Sequence, residues 1–164
     1  MLIVIVAIVS IASALKWGDK KNWQSYYSTI IFFIAADLAY NALSVSKRLW
    51  EYSGFLPHEY IGLFVMLTIY PSVMLIFLPK WPSGVWHQVV HILKWVVIFS
   101  AVEWILSLFG ELTYHNGWSF WFSVLFDCVM FPLLILHHKR PLLAWPLAIG
   151  VGAVILYSFH IPVS

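Results

Sequence analysis

Three acidic residues, Asp37, Glu103 and Asp127, lie within three separate apolar segments of this 164-residue chain. The chain is 62% hydrophobic and only 10% charged, so these carboxyl groups differ sharply from their surroundings. An ionisable side chain at the centre of a membrane helix costs about 2.5–3.5 kcal/mol on insertion scales. Three such costs require compensation, which indicates a shared polar site enclosed by helices near mid-membrane.

Helical spacing places hydroxyl and amide groups within one turn of each acid. Oxygen atoms of these kinds bind protons, hard metal ions and small organic cations. No basic side chain is placed to neutralise the acids, because Lys94 lies nine residues before Glu103 on the opposite helical face. The expected site for a cation or proton comprises Asp37, Tyr40, Asn41, Ser100, Glu103, Ser123 and Asp127.

The same polar residues also have a purely structural interpretation. Protonated carboxyl groups and Asn41 can form hydrogen bonds between helices, each contributing about 0.6–2 kcal/mol to packing. The acids are expected to be neutral at pH 7 unless a cation or water enters the site. Both interpretations require the three acids to face the interior of the bundle.

A second group of residues with metal-binding chemistry is formed by histidines. His87 and His91 are four residues apart, which places both imidazoles on one face of a helix, as in many metal sites. His137 and His138 are expected on the same side of the membrane. The cluster would support a metal-dependent enzyme acting on lipid, although the HxxHH motif of di-iron membrane hydroxylases is missing. Contact with lipid phosphates is the alternative role.

The elements that position these residues are predicted to be membrane helices. A helix needs about 20 apolar residues to cross the hydrocarbon core, and six segments approach that length. Short breaks rich in Gly, Pro, Asn and Ser separate them, so consecutive helices should pack antiparallel. We therefore predict an all-α, polytopic fold with one domain over 1–164. The expected spans are 1–16, 28–46, 60–78, 88–110, 118–136 and 142–160.

The basic residues predict the orientation of these spans. Two of the nine, Lys47 and Arg48, belong to an even-numbered connection. By the positive-inside rule the other seven mark the cytoplasmic side, which places both termini outside. These seven, in the odd-numbered connections or at their edges, are Lys16, Lys20, Lys21, Lys80, Lys94, Lys139 and Arg140.

Several biochemical classes receive no support from the sequence. The single cysteine, Cys128, rules out an internal disulfide and a CxxC motif. Nucleic acid is not an expected partner, whereas the lipid bilayer is. No cofactor is predicted beyond a bound cation. Small residues spaced by four, at Ala35 and Ala39 and at Ala148 and Gly152, permit close helix contacts within the chain or in a homo-oligomer.

A series of short motifs resembles a known protein family. The motifs are Lys21-Asn22-Trp23, Asp37-Leu38-Ala39-Tyr40-Asn41, Leu49-Trp50-Glu51-Tyr52, Tyr114-His115-Asn116-Gly117-Trp118 and His137-His138-Lys139-Arg140-Pro141. Together they resemble a family of small, functionally uncharacterised multi-spanning membrane proteins of endospore-forming Firmicutes (Bacillus-like and Clostridium-like bacteria). The resemblance covers about residues 20–146. It implies a multi-pass protein of the bacterial cell membrane or the spore membrane, and it supplies no catalytic residues.

Three functions remain open on this basis. The leading hypothesis is a non-enzymatic membrane protein that binds, senses or conducts a cation or proton at the three acids. The second is an intramembrane metal-dependent enzyme that uses the histidine cluster. The third is a scaffold or assembly protein of the cell or spore membrane, in which the polar layer only fixes helix pairing.

Overall fold

The computed structural model describes residues 1–54 and 56–162 and is mainly helical. Its six α-helices confirm the predicted helical class, and a short antiparallel ribbon of two strands joins them. In chain order the elements are α1 (Leu2–Trp17), α2 (Trp23–Leu43), β1 (Trp50–Tyr52), α3 (His58–Phe77), α4 (Val85–Leu108), β2 (Leu112–Tyr114), α5 (Phe120–Lys139) and α6 (Pro141–Ser158).

Four of the helices, α3 to α6, are long and apolar enough to cross a membrane. Helix α1 is apolar but has 16 residues, which gives a length of about 24 Å against a hydrocarbon core of about 30 Å. Helix α2 has 21 residues but carries Asp37, Asn41 and several hydroxyl groups. The four long apolar helices indicate a membrane protein.

Five of the helices pack in a ring. Helix α3 contacts α1 and α2, α5 contacts α2 and α4, and the contact between α1 and α4 closes the circle. Phe77 and Phe131 are fully buried within this ring, where their rings meet edge to face at 5.0 Å. Helix α6 packs on the outside against α5, and Ala144 is its one buried residue.

The ribbon covers one end of the ring. Its residues had been predicted to lie in connections between helices, so the two strands were not expected. It pairs Trp50 with Tyr114 and Tyr52 with Leu112. Because side chains alternate along a strand, Trp50 and Tyr52 face the bundle whereas Glu51 faces away. Strands of three residues are too short for this alternation to be recognised from sequence alone.

A tight turn after β2 places a tryptophan beneath the ribbon. Asn116 and Gly117 have positive φ values of 54° and 87°, which non-glycine residues other than Asn and Asp seldom adopt. The turn brings Trp118 into a small second core with Leu49 and Ile161. The ribbon is thereby packed against the end of α6 as well as the ring.

Candidate functional site

The three acids within the helices share one large cavity. It has a volume of about 1030 Å³, and Asp37, Glu103 and Asp127 all line its wall. They come from α2, α4 and α5, three helices that the ring of contacts brings side by side. The wall also includes Tyr40 and Ser123 from the predicted site.

The acids lie at similar depths, each on the ribbon side of the midpoint of its helix. Asp37 is six residues before the end of α2, Glu103 five before the end of α4, and Asp127 seven after the start of α5. Because α2 begins at Trp23 rather than near residue 28, Asp37 lies four residues past the midpoint of α2 rather than at it. The site therefore sits directly beneath the ribbon.

Asp37 is fixed by donors from two helices. Its Oδ1 accepts a hydrogen bond from Asn41 Nδ2 at 3.0 Å, and its Oδ2 accepts one from the Tyr70 hydroxyl at 2.7 Å. The Tyr70 ring stacks on Phe33 with 3.9 Å between centroids, which holds the phenol in place. Both carboxylate oxygens of Asp37 thus have partners, and α2 is joined to α3.

A chain of hydrogen bonds connects Asp37 to the ribbon. The Tyr52 backbone N–H donates to His58 Nδ1 at 2.8 Å, and His58 Nε2 lies 3.1 Å from Asn41 Oδ1. Since a backbone N–H can only donate, Nδ1 must be the acceptor, and the imidazole proton is on Nε2. His58 therefore donates to Asn41, whose amide group donates in turn to Asp37.

The ribbon tyrosines supply hydroxyl groups above the acids. The Tyr114 hydroxyl donates to Glu103 Oε1 at 2.9 Å. Desolvation raises the pKa of Tyr52, and the charges of Asp37, Glu103 and Asp127 raise it further. Desolvation likewise raises the pKa of Tyr114, with the charge of Glu103 as the next cause. Both phenols therefore stay protonated at neutral pH and can act as donors.

Asp127 differs from the other two acids. Its side chain lines the cavity and the residue is only 5% exposed, yet its Oδ2 is buried without a hydrogen-bond partner in the described residues. The nearby Ser123 hydroxyl accepts a bond from Trp118 Nε1 at 2.9 Å. Buried polar atoms are normally paired, so a buried, unpartnered carboxylate oxygen of a residue that lines a cavity marks a position for a proton or a ligand.

The remaining predicted site residues have supporting positions. Asn41 is behind Asp37 and joins it to His58. The Tyr40 hydroxyl accepts a bond from the Leu49 N–H at 3.0 Å, and its ring stacks on Trp50 at 4.2 Å, so Tyr40 anchors the ribbon. Ser100 has a buried hydroxyl without a partner in the part of the chain that the structure describes, and it does not line the cavity.

Sequence reasoning missed four residues that complete the site: His58, Tyr52, Tyr70 and Tyr114. None of the four was among the residues predicted for the cation or proton site. The aromatic residues at alternate positions in Trp50-Glu51-Tyr52 were the one signal for inward-facing rings. That they point at the acids depends on strand pairing, which no local pattern reveals.

The predicted histidine metal site is not assembled. His91 Nε2 lies 3.1 Å from the Phe77 carbonyl oxygen, and His137 Nδ1 lies 3.1 Å from the Thr29 hydroxyl. His138 packs beside Tyr26, and His87 is exposed. Within residues 1–54 and 56–162, no three His, Cys, Asp or Glu side chains are grouped closely enough to hold a metal ion. The histidines occupy one end of the bundle but have separate partners.

Comparison of the chain with protein-family models, curated proteins and solved structures gives no match.

Proposed function

We propose that this chain is an integral membrane protein that binds and passes a cation or proton at Asp37, Glu103 and Asp127. The observation that carries the proposal is the buried Oδ2 of Asp127, which has no hydrogen-bond partner among the described residues and belongs to a residue lining a cavity shared by all three acids. A carboxylate in such a position gains a partner only from a proton, water or a cation.

The three acids have different roles in this proposal. Asp37 and Glu103 hold hydrogen bonds from tyrosine hydroxyls, which stabilise their charged forms. Asp127 has no such support and lies within the electrostatic field of Glu103. It is therefore the group that takes up and releases the ion or proton, while the other two supply negative potential.

All six helices are proposed to cross the membrane, with both termini outside. The contacts of α1 and α2 within the ring support this topology, although each is less apolar or shorter than the other helices. The two basic residues near the ribbon are tied down: Arg48 pairs with Glu59, and Lys47 donates to the Phe159 carbonyl at 2.8 Å. The other seven are near the opposite end, which the positive-inside rule places in the cytoplasm.

The cell membrane or spore membrane of an endospore-forming bacterium is the proposed location. This part of the proposal depends on the family resemblance of the motifs between residues 20 and 146. In either membrane the ribbon would face outward, so that the His58 chain lies between the outer solution and Asp37.

Flux measurements in liposomes test the proposal. Purified protein is reconstituted with a pH-sensitive dye inside the vesicles, and proton and Na⁺ movement is followed after an imposed gradient. We expect flux that falls at least tenfold in Asp127→Asn. Glu51→Gln, which changes an acid on the outward face of the ribbon, is the matched control and should retain flux. Equal flux in the wild type, Asp127→Asn and empty vesicles would exclude the proposal.

One observation favours a structural role as the second candidate. The Asp37–Tyr70 hydrogen bond of 2.7 Å joins α2 to α3 with both carboxylate oxygens satisfied, as expected of a group that fixes helix pairing. In a scaffold all three acids would act in this way. Asp127, with its unpartnered oxygen, does not fit that pattern.

A further inference from the structure

The size of the cavity bears on the kind of cation that it accepts. A volume of about 1030 Å³ is at the upper end of ordinary small-molecule sites, which span about 300–1,000 Å³. An inorganic ion would occupy a small fraction of this space. The cavity is therefore large enough for an organic molecule.

Aromatic side chains line the cavity along its length. Twelve aromatic residues form part of its wall, and each of the six helices contributes at least one. At the end with the acids, Trp50 of β1 and Trp118 have 5.4 Å between their ring centroids. Aromatic faces attract cations through their quadrupole, most strongly where water is excluded. Carboxylates combined with aromatic rings form a typical recognition site for organic cations.

The cavity has acids at one end, basic side chains at the other and apolar residues between them. All three acids are near the ribbon, residues such as Trp95 and Leu134 form the wall farther along α4 and α5, and Lys80 and Lys94 line the opposite end. The nine residues of α4 between Lys94 and Glu103 correspond to about 14 Å along the helix. A ligand with a cationic head and an apolar body that ends short of the lysines complements the acid end and the apolar middle of this wall.

The side of the cavity between α2 and α6 would give such a ligand a route from the bilayer. The small residues Ala35 and Ala39 on α2 and Ala148 and Gly152 on α6 line the cavity there. A Cβ atom added at Gly152 would have nothing within 4 Å. Because α6 is outside the ring and mostly exposed, this side of the cavity faces lipid.

We propose that the cavity binds an amphiphilic organic cation, with its charged group at Asp127 and its apolar body between the helices. This inference depends on the proposed cation site and names its ligand class. Entry from the lipid matches an apolar body, and the unpartnered carboxylate oxygen of Asp127 matches a single positive charge.

Equilibrium dialysis with radiolabelled tetraphenylphosphonium tests the inference, using the full chain in lipid nanodiscs and empty nanodiscs as background. We expect saturable binding to the wild type and to Glu51→Gln, and a dissociation constant at least tenfold higher for Asp127→Asn. Gly152→Leu should also weaken binding, because leucine would project into the side of the cavity between α2 and α6. Dodecyltrimethylammonium should displace the probe, whereas dodecyl sulfate at the same concentration should not.

Folding of each variant is checked by its elution volume in size-exclusion chromatography. Equal binding to the wild type and Asp127→Asn would show partitioning into lipid only and would overturn the inference. Proton or Na⁺ flux that depends on Asp127 without saturable tetraphenylphosphonium binding would also overturn it, but would leave the proposed function standing. Absence of both flux and binding would remove both proposals.

Discussion

The Tyr52 backbone N–H donates a hydrogen bond to His58 Nδ1 over 2.8 Å. This contact fixes the imidazole as the Nε2-protonated tautomer and thereby orients Asn41 toward Asp37. It also makes the ribbon sensitive to pH, because an imidazolium has a proton on both nitrogens and cannot accept from Tyr52.

We expect acidification to open the ribbon at β1. Protonation of His58 breaks the bond from Tyr52, and the charged groups that face the imidazole are Arg48, Glu51 and Glu59. Hydrogen exchange of the Tyr52 amide, followed by mass spectrometry between pH 8 and pH 5, should accelerate beyond its intrinsic pH dependence. His58→Ala should remove the effect, whereas His115→Ala, on the exposed side, should retain it. Unchanged protection in the wild type at pH 5 would contradict this prediction.

Asp127→Asn and Asp37→Asn should differ in stability. Asp127 Oδ2 has no hydrogen-bond partner within residues 1–54 and 56–162, so Asp127→Asn should leave the thermal midpoint equal or higher. Asp37→Asn places an amide against the Tyr70 hydroxyl or the Asn41 amide, which should cost about 1–3 kcal/mol. Differential scanning fluorimetry in detergent measures both. A large loss in Asp127→Asn would favour the scaffold hypothesis.

Tyr114→Phe should loosen the ribbon from α4. The substitution removes the 2.9 Å hydrogen bond to Glu103 and keeps the ring, so the expected loss is about 0.5–1.5 kcal/mol. Because Glu103 also loses the donor that stabilises its charge, cation flux should fall with little change in fold. Tyr60→Phe, at an exposed position on α3, is the matched control. Equal flux and stability in the two variants would argue against a role for the Tyr114 hydroxyl.

Glu111→Gln should destabilise the start of α1. The Glu111 carboxylate accepts hydrogen bonds from the Leu2 and Ile3 N–H groups at 2.7 and 2.9 Å, in the manner of a helix cap supplied from another element. Loss of such a cap costs about 0.5–2 kcal/mol. Thermal unfolding measures the change, and Glu51→Gln should show none of it.

The Glu111 carboxylate should also make the stability of the protein depend on pH. Desolvation opposes the charged form of Glu111, but the N-terminal ammonium and the two N–H donors outweigh it and hold its pKa below the usual value. Because the pKa of Glu111 is lower in the folded state, its carboxylate stabilises the fold at every pH above the usual glutamate pKa. This stabilisation is lost as the pH falls through the folded-state pKa. The stability difference between the wild type and Glu111→Gln should therefore shrink under acidic conditions.

Much of the helical layout was predictable because long apolar segments bounded by polar breaks leave few alternatives. Each of the six predicted segments contains a helix, although α2 begins five residues earlier than expected. The candidate site was predictable in part for the same reason, since an acid within an apolar helix must face other helices or water. Five of its seven predicted members line the cavity.

Composition and periodicity by themselves determined the helical class, the apolar character of the helices and the three acids, because burial in lipid constrains every residue of a long segment in the same way. The tertiary structure alone decided that Tyr52, Tyr70, Tyr114 and His58 lie around those acids and that Asp127 Oδ2 has no hydrogen-bond partner among the described residues. Those relationships arise from contacts between residues distant in the chain, such as the pairing of β1 with β2 across two intervening helices. A short stretch of sequence does not reveal such pairing, because the pairing is stabilised only when the helices are assembled.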